Sequence, residues 1–213
     1  HLQALEIEAN LTASTVDLIF ASGKASVIDS FASSNGYLHV IDTVLIPAPS
    51  VIDTAKAANL TGLLGLVETA NITTTIAALE DFTLFAPTNA AVDAVVALAK
   101  NISLDLTPEV IAHILELHVL KGIYYSTDVI AAKEVKLPSL LNGSLVDVSF
   151  NGTNVIVAGP GQSVYIPATV VVPDVLVAGG VVHVIDTVLL PDLGVPPAHA
   201  GKLIPSAVRR HKH

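Results

Sequence analysis

The peptide HVIDTVLIP at His39–Pro47 returns almost unchanged as HVIDTVLLP at His183–Pro191. A near-identical segment repeated about 145 residues apart marks two domain-sized units, because solenoid repeats recur at about 20–50 residues. The stretch ahead of the first copy is too short to hold a second unit of that size. The expected organisation is therefore residues 1–47 as the closing strands of one domain whose other part is missing. Residues 48–193 form a complete domain, and 194–213 a loose Pro-rich, basic tail. Strands of half a sandwich would expose apolar faces and open edges, so residues 1–47 are expected to be covered. The cover would be the missing part of that domain, the complete domain, or a second copy in a dimer.

Local patterns give the elements. Leu5, Ile7 and Ala9 alternate with Glu6 and Glu8 as a half-buried strand, Val16–Phe20 reads as a second, and Tyr37–Leu45 as the repeat strand. After Pro47-Ala48-Pro49 the period becomes helical, with Ser50 as N-cap and Val51, Ile52, Ala55, Leu63, Leu64 and Val67 on one face. Asp81–Ala86 is a short buried strand. Pro87-Thr88-Asn89 opens a helix to about Lys100, and Thr107-Pro108-Glu109 opens another that reaches His118. From Gly122 onward the chain reads as β only. Leu145–Phe150 and Val155–Ala158 flank an Asn-Gly hairpin turn, and Val164–Ile166 and Val181–Leu190 complete the set. Helices before strands give an α+β fold.

Three ordered segments carry a family resemblance: DFTLFAPTNAAV at Asp81–Val92, ILELHVLKG at Ile114–Gly122, and GGVVHVIDTVLLP at Gly179–Pro191. Together they resemble the signatures of fasciclin-like (FAS1) domains over about Pro49–Pro191. Ser34–Pro47 resembles the end of a preceding FAS1 domain. Leu117 departs from the pattern, standing where the family usually has Tyr before His118. The resemblance implies a wedge-shaped β-sandwich with helices packed along one side. It also implies secreted or surface-anchored adhesion and matrix proteins. In this frame Thr88, Asn89, His118, His183 and Asp186 form a structural polar signature, with His118 expected to bond the Thr88 turn. His183 is expected to be a hydrogen-bonded core residue and Asp186 to face the other way.

Composition narrows the function. Six Asn-x-Ser/Thr acceptors, at Asn10, Asn59, Asn71, Asn101, Asn142 and Asn151, point to a secreted glycoprotein. Cysteine is absent, which excludes disulfides and thiol chemistry. The 19 acidic residues all lie at or before Asp192, facing only six lysines there, an acidic body unsuited to nucleic acid. No nucleophile motif is present, and His113 and His118, five apart, are not spaced as a metal pair. No catalysis, metal or cofactor is expected; a copper role for His1 and a site at His211–His213 carry little weight. Pro173, Asp174, Val175 and Leu176 resemble the Pro-Asp-Ile segment of some family members and form the candidate adhesion loop, a loop ahead of the final strand. The expected partners are a cell-surface or matrix protein or polysaccharide, with self-association. The alternative is carriage of an apolar, carotenoid-like pigment in an aliphatic groove between the helices of 50–121.

Overall fold

Phe82–Pro87 is buried at every position, and so is most of Gly180–Ile185; these two segments are the middle of the molecule. The computed structural model describes residues 6–10, 15–21, 23–101, 103, 105–162 and 167–192. The first strands are β1 (Glu6–Asn10), β2 (Thr15–Phe20), β3 (Gly23–Ser33) and β4 (Gly36–Ile41), an antiparallel sheet in chain order. Then come α1 (Val51–Ala57), α2 (Thr61–Thr69), α3 (Thr73–Ala77), β5 (Phe82–Pro87), α4 (Asn89–Asn101), α5 (Pro108–Leu117), β6 (Val119–Lys121) and α6 (Ser126–Ala132). β7 (Glu134–Pro138), β8 (Leu145–Phe150), β9 (Val155–Ala158), β10 (Ala168–Val177) and β11 (Gly180–Ile185) finish the chain.

The second sheet runs β6-β5-β11-β10-β9-β8-β7. Among the described strands only β5 and β11 pair in parallel, in the register Val182↔Leu84 and Ile185↔Pro87. Gly180 permits this approach: a Cβ there would sit 2.3 Å from the Phe82 carbonyl oxygen. A bridge between Leu120 and Ser139 joins the β6 side to the β7 side, so the sheet curls towards closure. One apolar cluster lies between this sheet and α1, α2, α3 and α5, built on Leu63, Val67, Leu84, Leu115 and Val182. A second fills the inside of the curl with Phe85, Leu117, Leu120, Val146, Val157, Ile185 and Leu189. The fold is α+β, a helix-covered β-sandwich, as the chain order implies.

The helix stops are chemical. Asn59 and Asn71 follow the last residues of α1 and α2 with left-handed φ of 54° and 55°. In each the Asn N–H returns to a carbonyl of the last turn, Lys56 or Glu68, and the next N–H reaches Ala55 or Val67, the two bonds of a Schellman cap. α1 begins with Ser50 Oγ accepting from the Asp53 N–H at 3.1 Å. α2 has no cap from its own preceding residue, Leu60. Asn89 supplies it from across the structure: Oδ1 accepts from the Gly62 N–H at 2.9 Å, and Nδ2 donates to the Asn59 carbonyl at 2.9 Å.

Several expectations need correction. α6 was not foreseen in a stretch read as β; Asp128 starts it by accepting from the Tyr125 N–H at 3.0 Å. The Pro173–Leu176 loop is part of strand β10. The strand tolerates Pro173 because the register shifts between Val172 and Val175, a bulge with Asp174 at φ 57°. The two repeat strands are shorter than read, ending at Ile41 and Ile185. At each end the aspartate turns to close its hairpin: Asp42 Oδ1 accepts from Ser26 N–H at 2.8 Å, and Asp186 Oδ1 from Thr169 N–H at 2.7 Å. Ile7, read as half-buried, is exposed. Leu5, Val164–Ile166 and the tail lie outside the described residues.

Replacing Asn89 by Ala uncaps α2 and frees the Asn59 carbonyl, so urea unfolding should show a loss of about 1–2 kcal/mol. Asn89→Asp keeps the acceptor for Gly62 and should recover part of that loss.

Candidate functional site

Thr88, His118 and His183 lie on or beside β5 and β11, whereas Asn89 and Asp186 point elsewhere. Thr88 Oγ1 accepts from the Ala91 N–H at 3.3 Å and so opens α4, while the Thr88 N–H donates to the Ile185 carbonyl at 2.9 Å. Asn89 turns away to α1 and α2, as described above. His118 is completely buried at the end of α5. Its Nδ1–H donates to the Ile114 carbonyl at 2.6 Å, and its Nε2 accepts from the Leu189 N–H at 2.9 Å. That is a correction: His118 ties α5 to the segment after β11, not to the Thr88 turn. The accepted N–H defines the neutral tautomer. Burial holds its pKa down at about 4, against a smaller upward push from the Ile114 bond.

His183 is 5% exposed and lies against the Phe85 ring at 5.7 Å. Its Nδ1 accepts from the Asp174 N–H at 3.1 Å and its Nε2–H donates to the Tyr124 carbonyl at 2.9 Å. Burial lowers its pKa, opposed by the Tyr124 bond and the Asp174 charge. The Asp174 carboxylate lies 3.9 Å from Nδ1, but a ring nitrogen that already accepts an N–H is neutral, so the contact is not an ion pair. Asp174 instead holds α6: Oδ1 accepts from the Ser126 N–H at 2.8 Å and Oδ2 from the Ser126 hydroxyl. Asp186 is exposed at the hairpin mouth, away from His183.

Sequence reasoning missed two members of this knot. Thr83, wholly buried in β5, donates to the Gly122 carbonyl at 2.8 Å and accepts from the Tyr124 N–H at 2.9 Å. Ser126 is the second; its place at the start of the Ser-Thr-Asp run was the available signal. The cavity beside them, between Thr83, Tyr124, Ser126 and His183, is about 10 Å³, room for one water at most.

Chemically this arrangement builds structure. Ser, Asp and His side chains meet here, yet the Ser126 hydroxyl donates to Asp174 and both ring nitrogens of His183 are taken by backbone groups. No histidine nitrogen is free to take the hydroxyl's proton, and the carboxylate that accepts it is itself held by the Ser126 N–H. Among the described residues no group of three metal-ligating side chains occurs. His113 is exposed, and His118 has both nitrogens engaged, so they do not form a pair; His1 and His211–His213 lie outside the described residues.

The groove expected between the helices is closed by its own side chains. Val51, Ile52, Leu63, Leu64, Val67, Ile76, Leu84 and Leu115 leave about 20 Å³, far below the roughly 300 Å³ that small-molecule sites begin at. A larger, open concavity of about 720 Å³ lies elsewhere and has a mixed lining that includes His113, Lys136, Asp147, Leu141, Leu145 and Pro160. The acceptors Asn59, Asn71, Asn101, Asn142 and Asn151 are all exposed. Asn151 Oδ1 also accepts from the N–H groups of Thr153 and Asn154, making the β8–β9 turn. Among the described residues no helix is long and apolar enough to cross a membrane.

The fold is a helix-covered, nearly closed sandwich in which His118 and His183 are bonded to the protein's own backbone. The chain belongs to the fasciclin family: the Fasciclin domain model matches residues 58–191. It is similar to a fasciclin-like arabinogalactan protein of Arthroderma benhamiae, 34% identical over 74% of this chain and 34% of that protein. It is similar as well to transforming growth factor-beta-induced protein ig-h3 of Sus scrofa, 32% identical over 83% of this chain and 24% of that protein. A third relative, fasciclin-like arabinogalactan protein CTB11 of Cercospora beticola, is 26% identical over 89% of this chain and 48% of its own length. The chain thus spans between a quarter and half of these relatives. A FAS1 domain pair from the insect cell adhesion molecule Fasciclin I shares the fold, with TM-score 0.55 and 21% identity over 87% of this chain and 66% of its own.

The two neutral histidines give a pH signature. His118 resists protonation down to about 4 when folded and takes a proton near 6.5 when unfolded. Its contribution to stability is therefore complete above 6.5 and is lost as pH falls toward 4, a change on the order of 3 kcal/mol. Denaturant midpoints measured across pH 7 to 4 should fall accordingly, and His118→Gln should flatten the dependence while lowering stability at pH 7.

Proposed function

We propose that the protein acts without catalysis, as a secreted or cell-surface glycoprotein in adhesion or matrix assembly. The observation that carries this is inward bonding: Asn89, His118 and His183 of the polar signature, and Asp174 of the candidate adhesion segment, all bind the protein's own backbone or side chains, leaving recognition to the outer surface. The five exposed acceptor asparagines support a glycosylated outside. Relatives described as arabinogalactan and cell-adhesion proteins support the class of role.

The candidate adhesion segment takes a more specific form in this reading. The Asp174 carboxylate is engaged by Ser126, so the groups offered outward at the β10 bulge are Val171, Val172 and Pro173, all exposed. An apolar ridge of this kind binds a protein surface by burial, not by charge. The partner class is a cell-surface or matrix protein or polysaccharide, and the apolar ridge favours the protein.

Two measurements test this. Expression through a eukaryotic secretory pathway followed by glycopeptide mapping should find glycan on Asn59, Asn71, Asn101, Asn142 or Asn151; an unmodified chain would contradict the secreted reading. Immobilised cell-surface or matrix extract should retain the glycosylated protein saturably. A Val171→Ser/Val172→Ser double variant should weaken retention about tenfold, equivalent to about 1.4 kcal/mol. Unchanged retention by a folded double variant would remove the bulge from the account.

A further inference from the structure

Asn142 differs from the other acceptor asparagines in where it stands. It lines the open concavity of about 720 Å³, whereas Asn59, Asn71, Asn101 and Asn151 line neither that concavity nor the two small cavities. Asn142, Gly143 and Ser144 belong to the connection between β7 and β8. Buried Ser139 fixes that turn from within. Its N–H donates to the Ser144 carbonyl at 3.1 Å, and its Oγ lies 3.2 and 3.1 Å from the Leu141 and Ser144 carbonyls. The Ser144 N–H returns to the Leu141 carbonyl at 3.0 Å, and Gly143 turns at φ 78° with open space around it. The turn is therefore held without the Asn142 side chain, whose amide makes no hydrogen bond among the described residues. Asn151 is the opposite case, with its Oδ1 occupied by two N–H groups.

The lining has the two-sided chemistry of a sugar. His113 comes from α5, Lys136 from β7, Leu145 and Asp147 from β8, Pro160 from the chain after β9 and Pro191 from the chain after β11. The Lys136 ammonium lies 3.0 Å from Asp147 Oδ1 and donates to Oδ2 at 3.3 Å, so its charge is matched while it keeps N–H groups for hydroxyl oxygens. The His113 ring is exposed and makes no hydrogen bond among the described residues. Leu145, 49% exposed, and the two prolines offer apolar surface to the C–H face and acetamido methyl of an N-acetylglucosamine unit. The volume falls within the range of about 300–1,000 Å³ found for small-ligand sites.

We propose that this concavity is the seat of the protein's own N-linked glycan at Asn142, and that it holds the N-acetylglucosamine units next to the asparagine. The inference rests on the secreted-glycoprotein reading above and gives that reading a ligand and a site. Tethering decides the occupant. No Phe, Tyr or Trp lines the concavity, so a free oligosaccharide would find little stacking surface there. A sugar attached to a residue of the lining itself is present at an effective concentration in the mM range, so a weak seat is still filled. The seated glycan covers Leu145 and shields the bond between its first two sugars, while the open mouth lets the outer branches run into solvent.

The full chain is expressed in a secretory host that leaves oligomannose glycans, and occupancy is mapped at each acceptor. Endoglycosidase H, which cuts between the first two sugars, is then applied to the native protein, and release is followed site by site. A His113→Ala/Lys136→Ala variant should release the Asn142 glycan about tenfold faster than the unmodified sequence, with release at the other occupied acceptors unchanged. NMR of the glycosylated chain should show Overhauser contacts from an acetamido methyl to Leu145. Equal release at Asn142 in both proteins, with no such contacts, would mean a glycan standing free in solvent and would overturn the proposal. An empty Asn142 beside other occupied acceptors would overturn it too, while leaving the secreted reading intact. Absence of glycan at every acceptor would remove the secreted reading and this inference with it.

Discussion

The parallel pairing of β5 with β11 is the contact on which the rest of the domain depends. It joins strands nearly a hundred residues apart in the chain. Both are buried on both faces, so the pair divides the two main cores: Leu84 and Val182 face the helices, Phe85 and Ile185 the interior of the curled sheet. Gly180 makes the approach sterically feasible. Several conspicuous polar residues then fix the segments that surround that pair. Thr83 fixes the chain after β6, Thr88 opens α4, His118 ties α5 to Leu189, and His183 ties Tyr124 to the β10 bulge. A long-range parallel pair is entropically expensive to close, and these bonds give it a fixed geometry once closed.

This arrangement explains how motifs that look like chemistry act as architecture. A buried histidine, a serine and an aspartate meet at one place, but each is oriented towards an N–H, a carbonyl or another side chain of the protein itself. Buried polar groups satisfied in this way specify a unique packing. In the proposed reading, function belongs to the outer surface, at the β10 bulge and the exposed asparagines.

Much of the domain was legible in the sequence because its signals were local. Ser50 and Thr107 announce α1 and α5, the apolar run Phe82–Ala86 announces β5, and Asn151-Gly152 announces the β8–β9 hairpin. The misses were non-local. Pro173 and Asp174 read as a loop because a bulge that keeps them in β10 depends on β11 and α6. α6 is short and starts from a tyrosine, so its period was too brief to register. The partner of His118 is Leu189, a residue no spacing rule connects to it. Asn59 and Asn71 illustrate a double meaning: each is a glycosylation acceptor by sequence and a left-handed helix stop by conformation. Ile7 alternates like a half-buried strand residue, but alternation cannot say whether a covering layer is present.

The same nine-residue peptide in two settings allows a direct test of the central claim that pairing with β5, not local sequence, protects β11. Amide hydrogen exchange of the monomeric chain, resolved by NMR, compares His39–Leu45 with His183–Leu189. The account predicts that the amides of Val184 and Ile185 are among the slowest in the protein and that those of Val40 and Ile41 exchange orders of magnitude faster. Equal protection of the two copies in a monomer would show that the strand is stable without its parallel neighbour, and would contradict the account.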